Sequence, residues 1–244
     1  MSISLRKYIR WLPDDASEPT STIVVTSPNR RFVDIRVTKP LPESSSAPPL
    51  PLDRLDWAIA GTSSSWLRDD GKGGQVSRGQ WRHWVDSRTT KPEDATDEGD
   101  NYPQEDGTTL EKGAMVNPAT GKETEYEEVW IDVEPRSTAP NAAAQFVVIQ
   151  TTGEAEDGTR GSVVRVGHIS QGFIRRGDSM LAERWEWSGE KGWERTVVVS
   201  HGDGLALPLG EALQEGSDLP SVGEGIEIGG LKWEVIEKSK AEQS

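Results

Sequence analysis

The chain has no cysteine among its 244 residues. That excludes disulfides, thiolate zinc sites, iron–sulfur clusters and cysteine nucleophiles, and it fits an intracellular protein. Phe, Tyr and His are scarce, at three each. No apolar run approaches the ~18 residues of a membrane-spanning helix. The opening string MSISLRKYIRW lacks the apolar centre of a signal peptide. Basic residues number 27 against 41 acidic, a formal net charge of −14. A nucleic-acid binder needs a basic footprint, so this balance argues against that class.

Tryptophan, by contrast, is plentiful: there are ten. Hydrophobic residues make up 33% of the chain, and its 25 glycines bring the apolar share close to the usual range. Ten indoles supply enough burial to argue for folded cores over disorder.

Strand and turn patterns run almost throughout. Ile23–Val25 and Phe32–Val37 flank the turn SPNRR. In the second strand Val33, Ile35 and Val37 share one face, and Asp34 and Arg36 the other. Further strands are expected at Leu55–Ala60, Gln80–Asp86 and Glu125–Val133. The second half repeats the style from Gln145–Gln150 through Ser162–Ile169, Gly172–Arg175, Met180–Trp187 and Trp193–Ser200 to a final hairpin at 226–237. Leu205, Leu209 and Leu213 have helical spacing, but Pro208 permits only a short helix after it. Residues 39–53 hold five prolines and three serines and read as a loop. Residues 91–112 carry eight acids and little apolar content, so a solvated loop is expected.

The stretch 134–141, EPRSTAPN, places a domain boundary, dividing the chain into 1–136 and 137–244. Each half has about five to seven short strands, the density of barrels or sandwiches. The order of hairpin, Gly-containing strand, acidic turn and Trp strand recurs in both and suggests an ancient duplication. The expected class is all-β, two consecutive antiparallel barrels.

Particular strings carry a resemblance: LDWAIAGT (55–62), HWVD (83–86), EEVW (127–130), SQGFIRRG (170–177) and GLKWEVIE (230–237). They resemble a fungal family, the Hri type, typified by a budding-yeast protein named for its interaction with a casein kinase 1 homologue. The resemblance implies two lipocalin-like barrels, a cytoplasmic and nuclear location and no enzymatic activity. It also implies a casein kinase 1-type kinase as partner, and it supplies no catalytic residues and no cofactor.

Candidate sites are weighed against simpler readings. Ser200, His201 and Asp203 are hydrolase-like in composition, but strand neighbours point to opposite faces, so Ser200 and His201 cannot pair. His83, His168 and His201 show no metal-ligand spacing, and no metal site is expected. Gly71-Lys72-Gly73-Gly74 lacks the helix a phosphate cradle needs. Paired acids such as Asp69-Asp70 and Glu127-Glu128 are common in so acidic a chain, and catalysis by them needs a shared cleft. Trp81-Arg82-His83-Trp84 interleaves aromatic and basic groups in one isolated patch, and Arg175-Arg176 is a lone basic pair. Ser44, Ser45, Thr108 and Thr109 are loop hydroxyls open to phosphorylation. Ligand or partner contacts are assigned to Trp57, Trp81, Trp84, Gln171, Phe173, Trp185 and Trp233. The leading expectation is a non-enzymatic interaction protein. The alternative is a carrier of a small apolar molecule in a barrel interior.

Overall fold

In the Phe32–Val37 strand the two faces go to opposite environments, and this organises the whole molecule. A computed structural model describes residues 1–152, 157–214 and 221–239. Eight antiparallel strands form the first half: β1 (Ser2–Trp11), β2 (Thr20–Thr26), β3 (Arg31–Thr38), β4 (Leu55–Asp69), β5 (Gln75–Asp86), β6 (Glu98–Pro103), β7 (Thr109–Asn117) and β8 (Lys122–Val133). Each pairs with its neighbours in sequence, and β8 pairs with β1, closing a barrel. Closure leaves no free strand edge.

The second half contributes β9 (Phe146–Thr151), β10 (Arg160–Val166), β11 (Ile169–Arg176), β12 (Ser179–Ser188), β13 (Gly192–His201), β14 (Gly225–Ile228) and β15 (Leu231–Lys238). They form one antiparallel sheet in the order β13-β12-β11-β10-β9-β15-β14. The molecule is therefore all-β, with a closed barrel and a second barrel-like sheet. The short helix α1 (Leu209–Ala212) follows Pro208. It packs Leu209 and Ala212 against Val147, Ile149, Val163, Ile174, Trp233 and Val235 on one face of that sheet.

The other face of the sheet lies on the outside of the barrel. Val25, Val33, Ile35, Val37, Ala58 and Ala60 from the barrel share one buried cluster with Val164, Val166, Phe173, Ala182, Val197 and Val199 from the sheet. Strand alternation explains the rest: with Val33, Ile35 and Val37 facing out, Phe32, Asp34 and Arg36 must face the barrel interior.

Two polar side chains fasten this apolar contact. Gln171 and Arg184, both fully buried, stand opposite each other on β11 and β12. Gln171 Nε2 donates to the Ile23 and Val33 carbonyls, each at 2.9 Å. Arg184 donates to Ser21 Oγ at 2.8 Å and to the Ile35 carbonyl at 2.8 Å. At the sheet's far end Glu237, the last residue of the GLKWEVIE string, accepts from Ser27 Oγ at 3.0 Å and from the Asn29 amide at 3.3 Å. The SPNRR turn is thereby tied to β15.

Residues 91–112 differ from the expected loop. They supply β6 and the start of β7. Their acids are paired: Asp100 binds Arg68 and Arg78, and Glu98 binds Arg78 at 2.9 Å. Others point into the barrel. Composition read the charges as solvated, whereas the barrel wall neutralises them.

Candidate functional site

The barrel interior collects charge. A β-bulge makes this possible on β5. Ala60 faces Val85 and Gly61 faces His83, so Trp84 is an extra residue on that strand. Regular alternation would put Asp86 outside when His83 is inside; the inserted Trp84 returns Asp86 to the His83 side. Gly61 accepts the bend, since a Cβ there would sit 1.9 Å from the Arg82 carbonyl oxygen.

At the floor His83 Nδ1 contacts Asp86 Oδ2 at 2.8 Å, and Nε2 contacts Asp97 Oδ2 at 3.1 Å. Trp57 Nε1 donates to Asp86 Oδ1 at 2.9 Å. Burial alone would lower the His83 pKa, but hydrogen bonds and charge from the two carboxylates outweigh it and leave it at about 9. The ring is an imidazolium at neutral pH.

Above it runs a salt-bridge network. Arg36 Nε and Nη2 reach Asp34 Oδ2 at 2.9 Å, and Nη1 reaches Glu128 Oε1 at 3.0 Å. Arg6 meets the same Glu128 oxygen at 2.5 Å and Glu18 Oε2 at 2.9 Å. The Arg36 guanidinium lies 5.0 Å from the Trp57 ring and 6.0 Å from that of Trp130. Burial pushes the Asp34 carboxyl up, against the pull of Arg36 and Arg6. Its Oδ1 is buried with no hydrogen-bond partner.

Glu111 occupies a place made for it by glycine. Gly79, Gly99 and Gly113 are successive cross-strand partners on β5, β6 and β7, and Gly113 faces Tyr126 on β8. A Cβ on Gly99 would lie 2.6 Å from Glu111, and one on Gly113 would lie 2.5 Å from the Tyr126 hydroxyl. Into this trough Tyr126 Oη donates to Glu111 Oε1 at 2.8 Å, and Trp130 Nε1 donates to Oε2 at 3.0 Å. Burial, then the charges of Glu128 and Asp97, push the Glu111 pKa up to about 8.

A cavity of about 320 Å³ opens over this network, within the size range of small-molecule sites. Asp34, Asp97, Glu111 and Glu128 line it, with Trp81 and Trp130. Ser64 and Ser65, both exposed, line its outer end. Among the described residues, no group of three or more His, Asp or Glu is placed to hold a metal ion.

The sequence-derived candidates scatter. Trp81 lines the cavity. Trp57 packs on Phe32 and Ile59 inside the barrel. Trp84 packs at the interface under the Arg160 guanidinium, 4.8 Å from its ring. Gln171 and Phe173 are buried in that interface. Trp185 and Trp233 belong to the cluster on the far side of the sheet. Ser44 and Ser45 are exposed, Thr108 Oγ1 donates to Asp106 at 2.6 Å, and Thr109 reaches the cavity lining. His168 Nδ1 accepts from the Arg136 amide at 3.1 Å, and His201 is exposed at the end of β13. The carboxylates were missed, although Tyr126, Glu128, Trp130 and Asp132 repeat at every second position, the period of one strand face.

No curated protein matches the chain. The crystal structure of an uncharacterized protein, YLR301w from Saccharomyces cerevisiae, is similar in fold. It is 20% identical with a TM-score of 0.69, and the match covers 98% of each chain. The family model described as Protein HRI1 matches residues 2–237, and the chain belongs to the HRI1 family.

Proposed function

We propose that this chain is a binding protein whose closed barrel takes a small polar molecule into its interior. The observation that carries the reading is the cavity over the Asp34–Arg36–Glu128 network, with Asp34 Oδ1 buried and unpartnered. Protein interiors are close-packed, and buried polar atoms are ordinarily satisfied. A polar ligand entering this space meets a buried acceptor, at a wall otherwise held rigid by ion pairs. The apolar carrier weighed from sequence thereby becomes a polar one. Binding is favoured over catalysis because the acids are engaged: both Glu111 oxygens accept from side chains, and Glu128 is held by Arg6 and Arg36.

The test is calorimetric titration of the purified protein with a panel of small polar molecules, repeated on Ser63→Trp. Ser63 lines the cavity, and an indole there obstructs it. Saturable one-to-one binding that Ser63→Trp abolishes supports the reading. Binding that survives the plug, or no binding across the panel, rejects it.

A second reading, partnership with a casein kinase 1-type kinase, finds support in the exposure of Ser44 and Ser45 on a Pro-rich loop accessible to an enzyme. Phosphorylation of that loop by such a kinase, lost in a Ser44→Ala, Ser45→Ala variant, is the expected result.

A further inference from the structure

Resting on the reading of the barrel as a small-molecule site, we infer that its ligand is an organic cation, a compact primary ammonium with an apolar body, anchored on Asp34. The charge lining the cavity is lopsided. Asp34, Asp97, Glu111, Glu128 and Asp132 face only two guanidiniums, Arg30 and Arg36. The arginines do not cancel this excess. Arg36 is spent on Asp34 Oδ2 and on Glu128, which Arg6 also holds. What remains is Asp34 Oδ1, on a residue only 3% exposed, aimed into the space without a donor.

The missing partner is therefore a hydrogen-bond donor, and the field of the surrounding carboxylates selects a positively charged one. A carboxylate or phosphate ligand would meet those same charges as repulsion. The geometry of the acids does not suit a metal ion among the described residues. The rest of the wall is aromatic and apolar: Phe32, Trp81, Met115 and Trp130. Indole faces attract an ammonium, and the apolar groups pack against its carbon skeleton.

Glu111 adds a second acidic group that responds to charge. Facing it are Tyr126, Glu128 and Trp130 from β8, Arg36 from β3 and Asp97 from the segment before β6. A cation in the cavity offsets the repulsion from Glu128 and Asp97 and favours the ionised carboxyl. The Tyr126 hydroxyl, which can donate or accept, adapts to either form.

Three probes of nearly one shape separate charge from fit: benzylammonium, benzyl alcohol and benzoate, titrated calorimetrically into the full chain at pH 7.5. Benzylammonium should bind about tenfold or more tightly than benzyl alcohol, with benzoate weakest. Asp34→Asn should cut benzylammonium affinity about tenfold and leave benzyl alcohol within about twofold. Should Asp34→Asn fail to fold, Glu111→Gln carries the same test, with a smaller loss expected for the cation alone. Cavity binding of benzyl alcohol or benzoate that equals or exceeds benzylammonium overturns the cation assignment while leaving the carrier reading intact. If none of the three binds, both fall.

Discussion

Arg184 Nε donates to Gln171 Oε1 at 2.7 Å across the β11–β12 ladder, and the pair reaches into the barrel's backbone. No carboxylate touches the arginine. Burial lowers its pKa to about 10, only partly offset by the charges of Glu186 and Asp34. The cation is stabilised by oriented carbonyls and one amide oxygen. Removing it leaves the Ile35 carbonyl, Ser21 and Gln171 short of donors inside an apolar contact. Arg184→Ala should cost about 3–5 kcal/mol in urea unfolding. A loss below about 1 kcal/mol would mean that water replaces the guanidinium without difficulty.

The same interface decides whether the barrel stands alone. Val25, Val33, Ile35, Val37 and Ala58 are buried under the sheet, outside the barrel they belong to. A fragment of residues 1–136 would present that face to water as one contiguous apolar patch. It is expected to aggregate or to bind a hydrophobic dye strongly, and the full chain to unfold in one transition. A soluble, monomeric fragment with native-like near-UV dichroism would show that the barrel's internal network suffices.

How much of this was readable in the sequence varies with the physics at each place. Alternation in β3 separated Val33, Ile35 and Val37 from Asp34 and Arg36, and the structure keeps that division. Which face points inward was not readable, because it depends on a sheet more than a hundred residues away in the chain. The acids of 91–112 looked solvated, since their neutralising partners Arg68 and Arg78 lie on another strand. The bulge at Trp84 left no signal in composition, yet without it His83 and Asp86 would lie on opposite sides of the wall. The strings that carried the family resemblance hold structural posts: Gly61 at a bend, Gln171 in the clasp, Glu237 on the SPNRR turn. They point to the fold, and the cavity acids lie mostly outside them.

Stability should fall towards alkaline pH, for two reasons of the same sign. His83 is raised from 6.5 to about 9. Its contribution is complete below pH 6.5 and is lost as pH rises through 9, on the order of 3 kcal/mol. Glu111 is raised from 4.5 to about 8. The folded state holds its proton longer than the unfolded state, so stability declines as pH rises from 4.5 to 8. Glu111→Gln should flatten this decline, because the amide oxygen can accept from Trp130 and its NH2 can donate to Tyr126. Unfolding midpoints measured from pH 5 to 10 check it. A variant with the wild-type slope would show that Glu111 is ionised throughout.

The glycine row offers the sharpest test of whether the Glu111 site is built or incidental. Gly99→Ala places a methyl 2.6 Å from Glu111 Cγ and Oε1, closer than any carbon tolerates. With Tyr126 and Trp130 holding both oxygens, the side chain cannot simply swing away. The cost should be that of an overpacked core, about 1–3 kcal/mol. Truncating the obstacle removes the clash, so Gly99→Ala should cost much less in a Glu111→Ala background. The coupling between the two sites is then comparable to the single-site penalty. A double-mutant cycle by denaturant unfolding measures it. Additive losses would mean that Glu111 already moves freely in the cavity, and that the glycines on β6 and β7 serve the strand geometry alone.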